Sequence, residues 1–336
     1  MKKAYLYCYK RDLNEATTYY VDLVSKCLTM KGYSLETVFS IKDIKNPDLI
    51  FTITCMCFAK VFFRFPFVKT LSWVQGVQYE EVTMNRFPLW KRYAILLTEW
   101  MFVRFSDMLM FVSEKMRDYY QQKFGYNKKN YIVVPCYNCH LRKDVNIRKF
   151  ETPTFVYAGG LSKWQCIDTM LQTYSIVERK LPKAKLYLYC KRNAYLDELI
   201  KKYGIKNFSI NFVTVEELNE KLLQYKYGFI LREDSWVNAV STPTKMNSYL
   251  AGYVIPIFSK AVDSFSQHIN LGEFTILAET PLNANEIADK IVEFEKVSHD
   301  YQQFKGIVTD LFDQYYNDEK YLKQISALID SHVVKK

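Results

Sequence analysis

FILREDSWVNAVSTPTKMNSYLAGYVIPIF, residues 229–258, reads as strand, polar loop, helix and strand in succession. The apolar run 229–231 ends abruptly in Arg232, Glu233 and Asp234. A polar loop carries Asn238, Ser241 and Thr242 to Pro243, its only proline. The spacing predicts a compact helix over 245–251 and a second strand over 254–258. Charged and hydroxyl groups thus gather where a strand ends and a helix begins. That junction binds anions in α/β folds, because the first N–H groups of the helix lack intrahelical partners and the dipole favours negative charge. Pro243 suits a first helical turn, where its missing N–H costs nothing, and Lys245 adds a full positive charge. The stretch therefore predicts a site for a phosphorylated ligand. Arg232–Asp234 could instead be a solvated charge cluster; their position directly after a strand that should be buried argues for the ligand-facing end.

Outward from this stretch, strands and helices alternate. On its N-terminal side the pattern predicts strands over 154–158, 184–190 and 209–212 and helices over 167–179 and 194–203. Thr214 with Glu217 forms a capping box that opens a helix to Tyr225. On its C-terminal side a strand is expected at 274–277 and closing helices at 285–304 and 315–333. The first half gives strands at 4–9, 35–39, 48–54, 69–74, 108–112 and 131–134, with helices at 15–31, 89–105 and 114–124. Such alternation predicts an α/β fold in two halves, each a parallel sheet covered by helices. The charged segment 144–152 before Pro153 reads as the linker between them. Gly159-Gly160 follows a strand, as either a tight turn or a place where a ligand meets the backbone closely. Gln75-Gly76, with Glu80 and Glu81 just beyond, forms a polar loop at the carboxyl edge of the first sheet, where open α/β sheets bind ligands.

The 336 residues suffice for two domains, and the net charge of +10 fits nucleic acid, anionic lipid or an anionic substrate. No zinc-finger, basic-zipper or RNP-type signature supports nucleic acid. Residues 1–10 read as a first strand rather than a signal peptide, and no window reaches the roughly 18 apolar residues that span a bilayer. The expected location is the cytoplasm, with the eight cysteines reduced and mostly buried. FAKVFFRFPF, 58–67, carries two readings: a helix packed on the sheet, or an aromatic and basic surface lying on the inner face of a membrane with help from Arg86, Lys91, Arg92 and Arg104. Cys136 to His140 has the spacing of covalent haem attachment, but the match is five residues long and no export signal accompanies it. With four histidines and no paired cysteines at zinc-finger spacing, no protein-built metal site is expected.

Three segments carry a resemblance. FVYAGGLSKWQ, from Phe155, looks like a strand and glycine loop opening a donor domain. GFILRED, from Gly228, with STPTKMNSYLA, from Ser241, looks like the element P-x-K-x-x-E-Y-L-A-x-G-x-x-P. Glu99 ahead of Ser106-Asp107 and Phe111-Val-Ser-Glu, then Val133-Val-Pro, looks like the stretch ending an acceptor domain. Together they resemble the GT-B glycosyltransferases, in particular the group similar to glycosyltransferase family 4. The resemblance implies two Rossmann-like domains with parallel sheets facing across a cleft: 1–148 on the acceptor side, 149–312 on the nucleotide-sugar donor side, and a C-terminal helix in 313–336 packing back on the first. It implies that Gly160 approaches the diphosphate or the reacting sugar, with Gly159 a further donor-side candidate, that Thr242, Thr244 and Lys245 meet the phosphates, and that Arg232 adds charge. Lys163 stands in for a basic residue that the family places where this chain has Gly160 and Gln165. Thr214 borders the base; Asp234, Asn238 and Ser241 are further donor-side candidates; Gln75 and Gly76 face the acceptor. Glu80, Lys245 and Arg232 are the catalytic candidates. Where the family usually carries the Glu that holds the ribose, this chain has Ser248. The implied activity is a metal-independent, retaining transfer from a nucleotide-sugar to a surface polysaccharide or lipid-linked glycan, with no cofactor. The alternative is a noncatalytic nucleotide-sugar or glycan-binding module that partners an active transferase.

Overall fold

The structure is a computed structural model describing residues 2–333. Two compact units form, and residues of one sheet belong wholly to each. The first unit takes the chain up to Cys136: β1 (Lys2–Tyr7), α1 (Glu15–Met30), β2 (Tyr33–Val38), β3 (Leu49–Thr52), α2 (Cys55–Arg64), β4 (Lys69–Val74), α3 (Gln78–Met84), α4 (Leu89–Phe105), β5 (Met108–Phe111), α5 (Glu114–Phe124) and β6 (Tyr131–Val133). Its strands lie in the order β2-β1-β3-β4-β5-β6, each pair parallel. LIFT of β3 and MLMF of β5 are buried throughout, as continuous apolar runs must be when helices cover both faces of a sheet. Local signals set the helix ends. Thr54 caps α2 by accepting from Cys57 N, Ser113 caps α5 by accepting from Met116 N, and Gly125 closes α5 in the left-handed region.

The second unit contains β7 (Thr154–Ala158), α6 (Ile167–Lys180), β8 (Lys185–Tyr189), α7 (Ala194–Tyr203), β9 (Phe208–Asn211), α8 (Val215–Leu222), β10 (Tyr227–Ile230), α9 (Trp236–Ala239), α10 (Thr244–Ala251), β11 (Ile255–Ser259), α11 (Asp263–His268), β12 (Ile276–Ala278), α12 (Ala284–Lys296) and α13 (Tyr301–Gln314). Its all-parallel order, β12-β11-β10-β7-β8-β9, is that of a doubly wound nucleotide-binding sheet. The order reverses between β7 and β10, and open α/β sheets bind ligands outside the carboxyl ends of the strands at such a point. Those ends carry Gly159 and Arg232. The last helix, α14 (Asp318–Val333), belongs to the first unit, where Tyr19 Oη donates to Asp318 at 2.6 Å and Lys31 pairs with Asp330. Residues 334–336 of the expected C-terminal segment lie outside the described residues.

Four expectations differ from the structure. The single helix expected at 285–304 is split between α12 and α13, because Val297 is extended and the Asp300 carboxylate accepts from Gln302 N and Gln303 N to start a new helix. The polar loop at 75–81 becomes helix α3 from Gln78 onward. Pro243 is the cap residue of α10 rather than inside its first turn, and the loop before it contains the short helix α9. Segment 144–152 is no open linker. It holds a 3-10 turn whose Lys149 and Phe150 are buried, with Phe150 stacked at 4.1 Å on Tyr301. The passage between units falls earlier, from Cys136 to Tyr137.

Lys149 donates to Gly252 O at 2.7 Å and, at 3.5 Å, to Leu222 O, the last carbonyls of α10 and α8. Burial pushes its amine down to about 7. The unfolded chain keeps that proton to roughly pH 10.4, so between these values it binds more protons than the native state. Stability of the second unit should therefore rise with pH from about 7 toward 10, at most by about 1.4 kcal/mol per pH unit. Denaturant titrations across this range should show the slope, and Lys149→Met should flatten it.

Candidate functional site

β10 is buried throughout, and the chain leaves the sheet through Leu231 into Arg232, itself 4% exposed. Arg232 N donates to Ser259 Oγ at 2.5 Å, tying it to the end of β11. The guanidinium donates only to the carbonyl of Leu231, at 2.9 Å. Among the described residues no carboxylate pairs with it, and burial lowers its affinity for its proton. Glu233 and Asp234 are exposed, so the charged triplet is divided: one residue buried, two in solvent. Asn238 is buried as a staple of the loop, its amide donating to Glu233 O at 2.7 Å.

Lys245 lies in the first turn of α10. No side chain caps this helix; apart from Met246 N, which donates to Pro243 O at 3.1 Å, its leading N–H groups are those that a helix end leaves without intrahelical partners. Lys245 Nζ donates to Gln165 Oε1 at 2.5 Å and to Tyr157 Oη at 3.2 Å, and rests 4.2 Å from the Tyr157 ring centroid. These partners are neutral. Burial, and after it the Arg232 guanidinium, push the Lys245 ammonium well below the usual lysine value. Two basic groups thus adjoin in one corner, Arg232 buried and Lys245 half-buried, and among the described residues no carboxylate pairs with either.

Gly159 completes that corner. Its φ of +136° excludes side chains, and a Cβ there would stand 2.7 Å from Lys245 Cε. Gly160, expected at the diphosphate or the reacting sugar, has no such requirement: its Cβ would meet only Ser162 Oγ, at 3.9 Å. Its carbonyl accepts from Tyr157 Oη at 2.5 Å. Lys163 is exposed on the following turn, beside a hollow of about 340 Å³ that Ser162, Cys166 and Glu233 also line.

Helix α10 is locked to the sheet by residues that sequence reasoning missed. Tyr249 is fully buried, accepts from Ala158 N at 3.2 Å, and lays its ring over Gly228. Asn247 accepts from Asn138 N and Cys139 N and donates to Cys139 O at 3.0 Å. Polar residues on the inner face of a helix that abuts a strand glycine were the available signal. Ser248 donates to Thr244 O at 3.2 Å and lies 3.5 Å from Cys139 Sγ. Thr214 is exposed and occupied as a cap: its hydroxyl accepts from Glu217 N at 3.2 Å. Ser241 and Thr242 group with the first unit. Thr242, expected at the phosphates, is buried, and its hydroxyl accepts from Cys136 N at 2.8 Å.

In the first unit, Gly76 O accepts from Tyr120 Oη at 3.2 Å, and Gln75 Nε2 is buried without a hydrogen-bond partner. Glu80, expected as a catalytic helper, is ion-paired with Lys123 at 2.9 Å and accepts from Tyr119 Oη. The carboxyl poised near neutrality is Glu99, 1% exposed, which accepts from Tyr120 Oη at 2.9 Å and which burial raises to about 7. Among the described residues, no group of three or more His, Cys, Asp or Glu side chains is arranged to hold a metal ion.

No protein-family model and no curated protein matches the sequence. Solved structures do. Sucrose-phosphate synthase from Thermosynechococcus elongatus superposes with a TM-score of 0.73 over 100% of both chains, at 11% identity. A glycosyltransferase from Rickettsia africae gives 0.70 over 100% of this chain and 99% of that one, at 10% identity. Anabaena HepE, solved in complex with UDP and glucose, gives 0.69 over 98% and 100%, at 12% identity. The architecture is GT-B, as the resemblance implied: two α/β units, each built on a parallel six-stranded sheet.

Proposed function

We propose that the chain is a glycosyltransferase that uses a nucleoside-diphosphate sugar and that its second unit holds the donor. The observation carrying this reading is the pair Arg232, buried, and Lys245, half-buried, with no carboxylate partner among the described residues, at the reversal point of the β10 and β7 strands. Burying like charges together is costly. An anion with two or more charges offsets that cost, and a diphosphate offers oxygens to both side chains and to the N–H groups at the start of α10. The same groups stabilise the charge that grows as the diphosphate leaves, without a metal in this reading. The anomeric carbon loses its bond to the diphosphate oxygen and gains one to the acceptor oxygen. The acceptor proton passes to the departing diphosphate, and the configuration is retained. Uridine donors come first, because a similar structure holds UDP and glucose. The acceptor class is a surface polysaccharide or lipid-linked glycan.

A noncatalytic donor-binding module is the second reading, favoured by Ser248, whose hydroxyl is engaged with Thr244 O where the family's carboxylate would hold the ribose. The two separate in one assay. The protein is incubated with UDP-, GDP-, dTDP- and CMP-sugars and glycan acceptors, and nucleotide release is followed. Transfer requires acceptor-dependent release that Lys245→Ala abolishes. Release that survives this substitution would sink the donor-site assignment; donor binding with no release under any acceptor would favour the binding module.

A further inference from the structure

The first unit turns apolar side chains outward on one face. A helix on a globular surface ordinarily buries its apolar stripe, but the first turns of α4 expose Leu89, Trp90, Tyr93 and Leu97, at helical spacing. Trp90 is 69% exposed. Neighbouring α2 does the same with Phe63, 75% exposed, and Phe67 just beyond it is 98% exposed. The helices form one surface: the Phe62 and Phe105 rings meet at 5.0 Å, Trp100 stands 5.3 Å from Phe105, and Thr98 Oγ1 donates to Met56 Sδ at 3.7 Å. Monomeric soluble proteins rarely leave large apolar patches uncovered.

Charge identifies what covers it. No acidic residue lies between Asp48 and Glu80 or between Glu81 and Glu99, and Glu99 is buried. Lys60, Arg64, Arg86, Lys91, Arg92 and Arg104 lie on or flank α2 and α4. Lys91 Nζ rests over the Trp90 and Phe87 rings, at 5.4 and 5.5 Å, so its charge rides at the edge of the aromatic surface. Aromatic rings with basic side chains around them match the boundary between acyl chains and anionic headgroups. A second copy of this chain would set these cations against themselves. No helix of the described residues is long and apolar enough to cross a membrane, so contact would be with one face.

We propose that the exposed face of α2 and α4 docks on an anionic lipid bilayer. Leu89, Trp90, Tyr93 and Phe63 enter the interface, and the basic groups pair with headgroup phosphates. The proposal stands on the first unit alone and is independent of the donor reading.

The test is flotation of the full chain with vesicles rich in phosphatidylglycerol and with vesicles of pure phosphatidylcholine. Binding to the anionic vesicles is expected, weakening with salt. Each basic side chain near such a surface is worth roughly fivefold in partitioning, so R86Q/K91Q/R92Q together should bind about 100-fold more weakly. Trp90→Glu with Leu97→Glu should abolish binding; Arg86, Trp90, Lys91 and Leu97 are exposed, so thermal midpoints should stay near the wild type, and R86Q/K91Q, which keeps the bond from Arg92 to Phe87 O, should still weaken binding about 25-fold. Brominated lipid should quench wild-type tryptophan fluorescence, a readout that needs no variant. Equal binding to both vesicles, no binding, no quenching, or a dimer that Trp90→Glu disperses without any vesicle affinity would each overturn the proposal.

Discussion

Replacing Lys245 by methionine should weaken nucleoside-diphosphate binding about 100-fold, the worth of one or two charge-assisted hydrogen bonds lost in a half-buried corner. The unliganded protein should be no less stable. In the native state the ammonium stands beside Arg232, hydrogen-bonded only to neutral oxygens, and is held well below its usual protonation range. Methionine keeps the stem that packs beside Gly159 and Tyr157 and removes the burdened charge. A purely structural lysine would behave oppositely, its loss lowering stability with no effect on ligand. Protonation supplies a second signature. Lys245 binds its proton weakly when the site is empty, and a bound polyanion favours the charged form. Binding therefore takes up a proton, and affinity should rise as pH falls from the ordinary lysine value near 10.4 through the lowered native one. Calorimetry in buffers of different ionisation enthalpy reads this uptake directly, and Lys245→Met should eliminate it.

Gly228→Ala should destabilise the second unit by about 3 kcal/mol, the upper end for overpacking a filled core. The added Cβ would stand 2.4 Å from Tyr249 Cδ2, and that ring is fully buried between β10 and β7 with its hydroxyl held on Ala158 N. The ring has nowhere to go without tilting α10, so the cost falls on the donor-side helix as well as on stability. The unit's thermal transition should drop by about 6–12 °C, and ligand affinity should fall with it. Gly306→Ala is the control. It sits inside α13 with nothing within 4 Å of the added carbon and should stabilise by up to about 1 kcal/mol.

Strand and helix alternation made the two α/β halves legible, because parallel strands covered on both faces read as apolar runs such as LIFT and MLMF. Lys245 and Arg232 were legible as cations at a strand-to-helix junction. Their mutual proximity was not, because it depends on how β10 and α10 are brought together, and so on Gly228 and Tyr249. Gly159 and Gly160 are indistinguishable as letters; only the positive φ and the approach of Lys245 Cε separate them. The bond from Cys136 N to the Thr242 hydroxyl was not legible either, because it joins residues distant in sequence. The ion pair of Glu80 with Lys123 was hidden because the two residues are distant in sequence. The break between α12 and α13 shows local chemistry prevailing over periodicity, since Asp300 caps where an apolar repeat continues.

The most direct measurement is a calorimetric titration of the wild-type protein and Lys245→Met with UDP, GDP and dTDP and with the matching monophosphates. One diphosphate should bind the wild type, its monophosphate at least about tenfold more weakly for want of the second charged group, and the variant should lose the preference. Equal affinity for mono- and diphosphate, or undiminished diphosphate binding by Lys245→Met, would contradict the assignment of Arg232 and Lys245 as the diphosphate site.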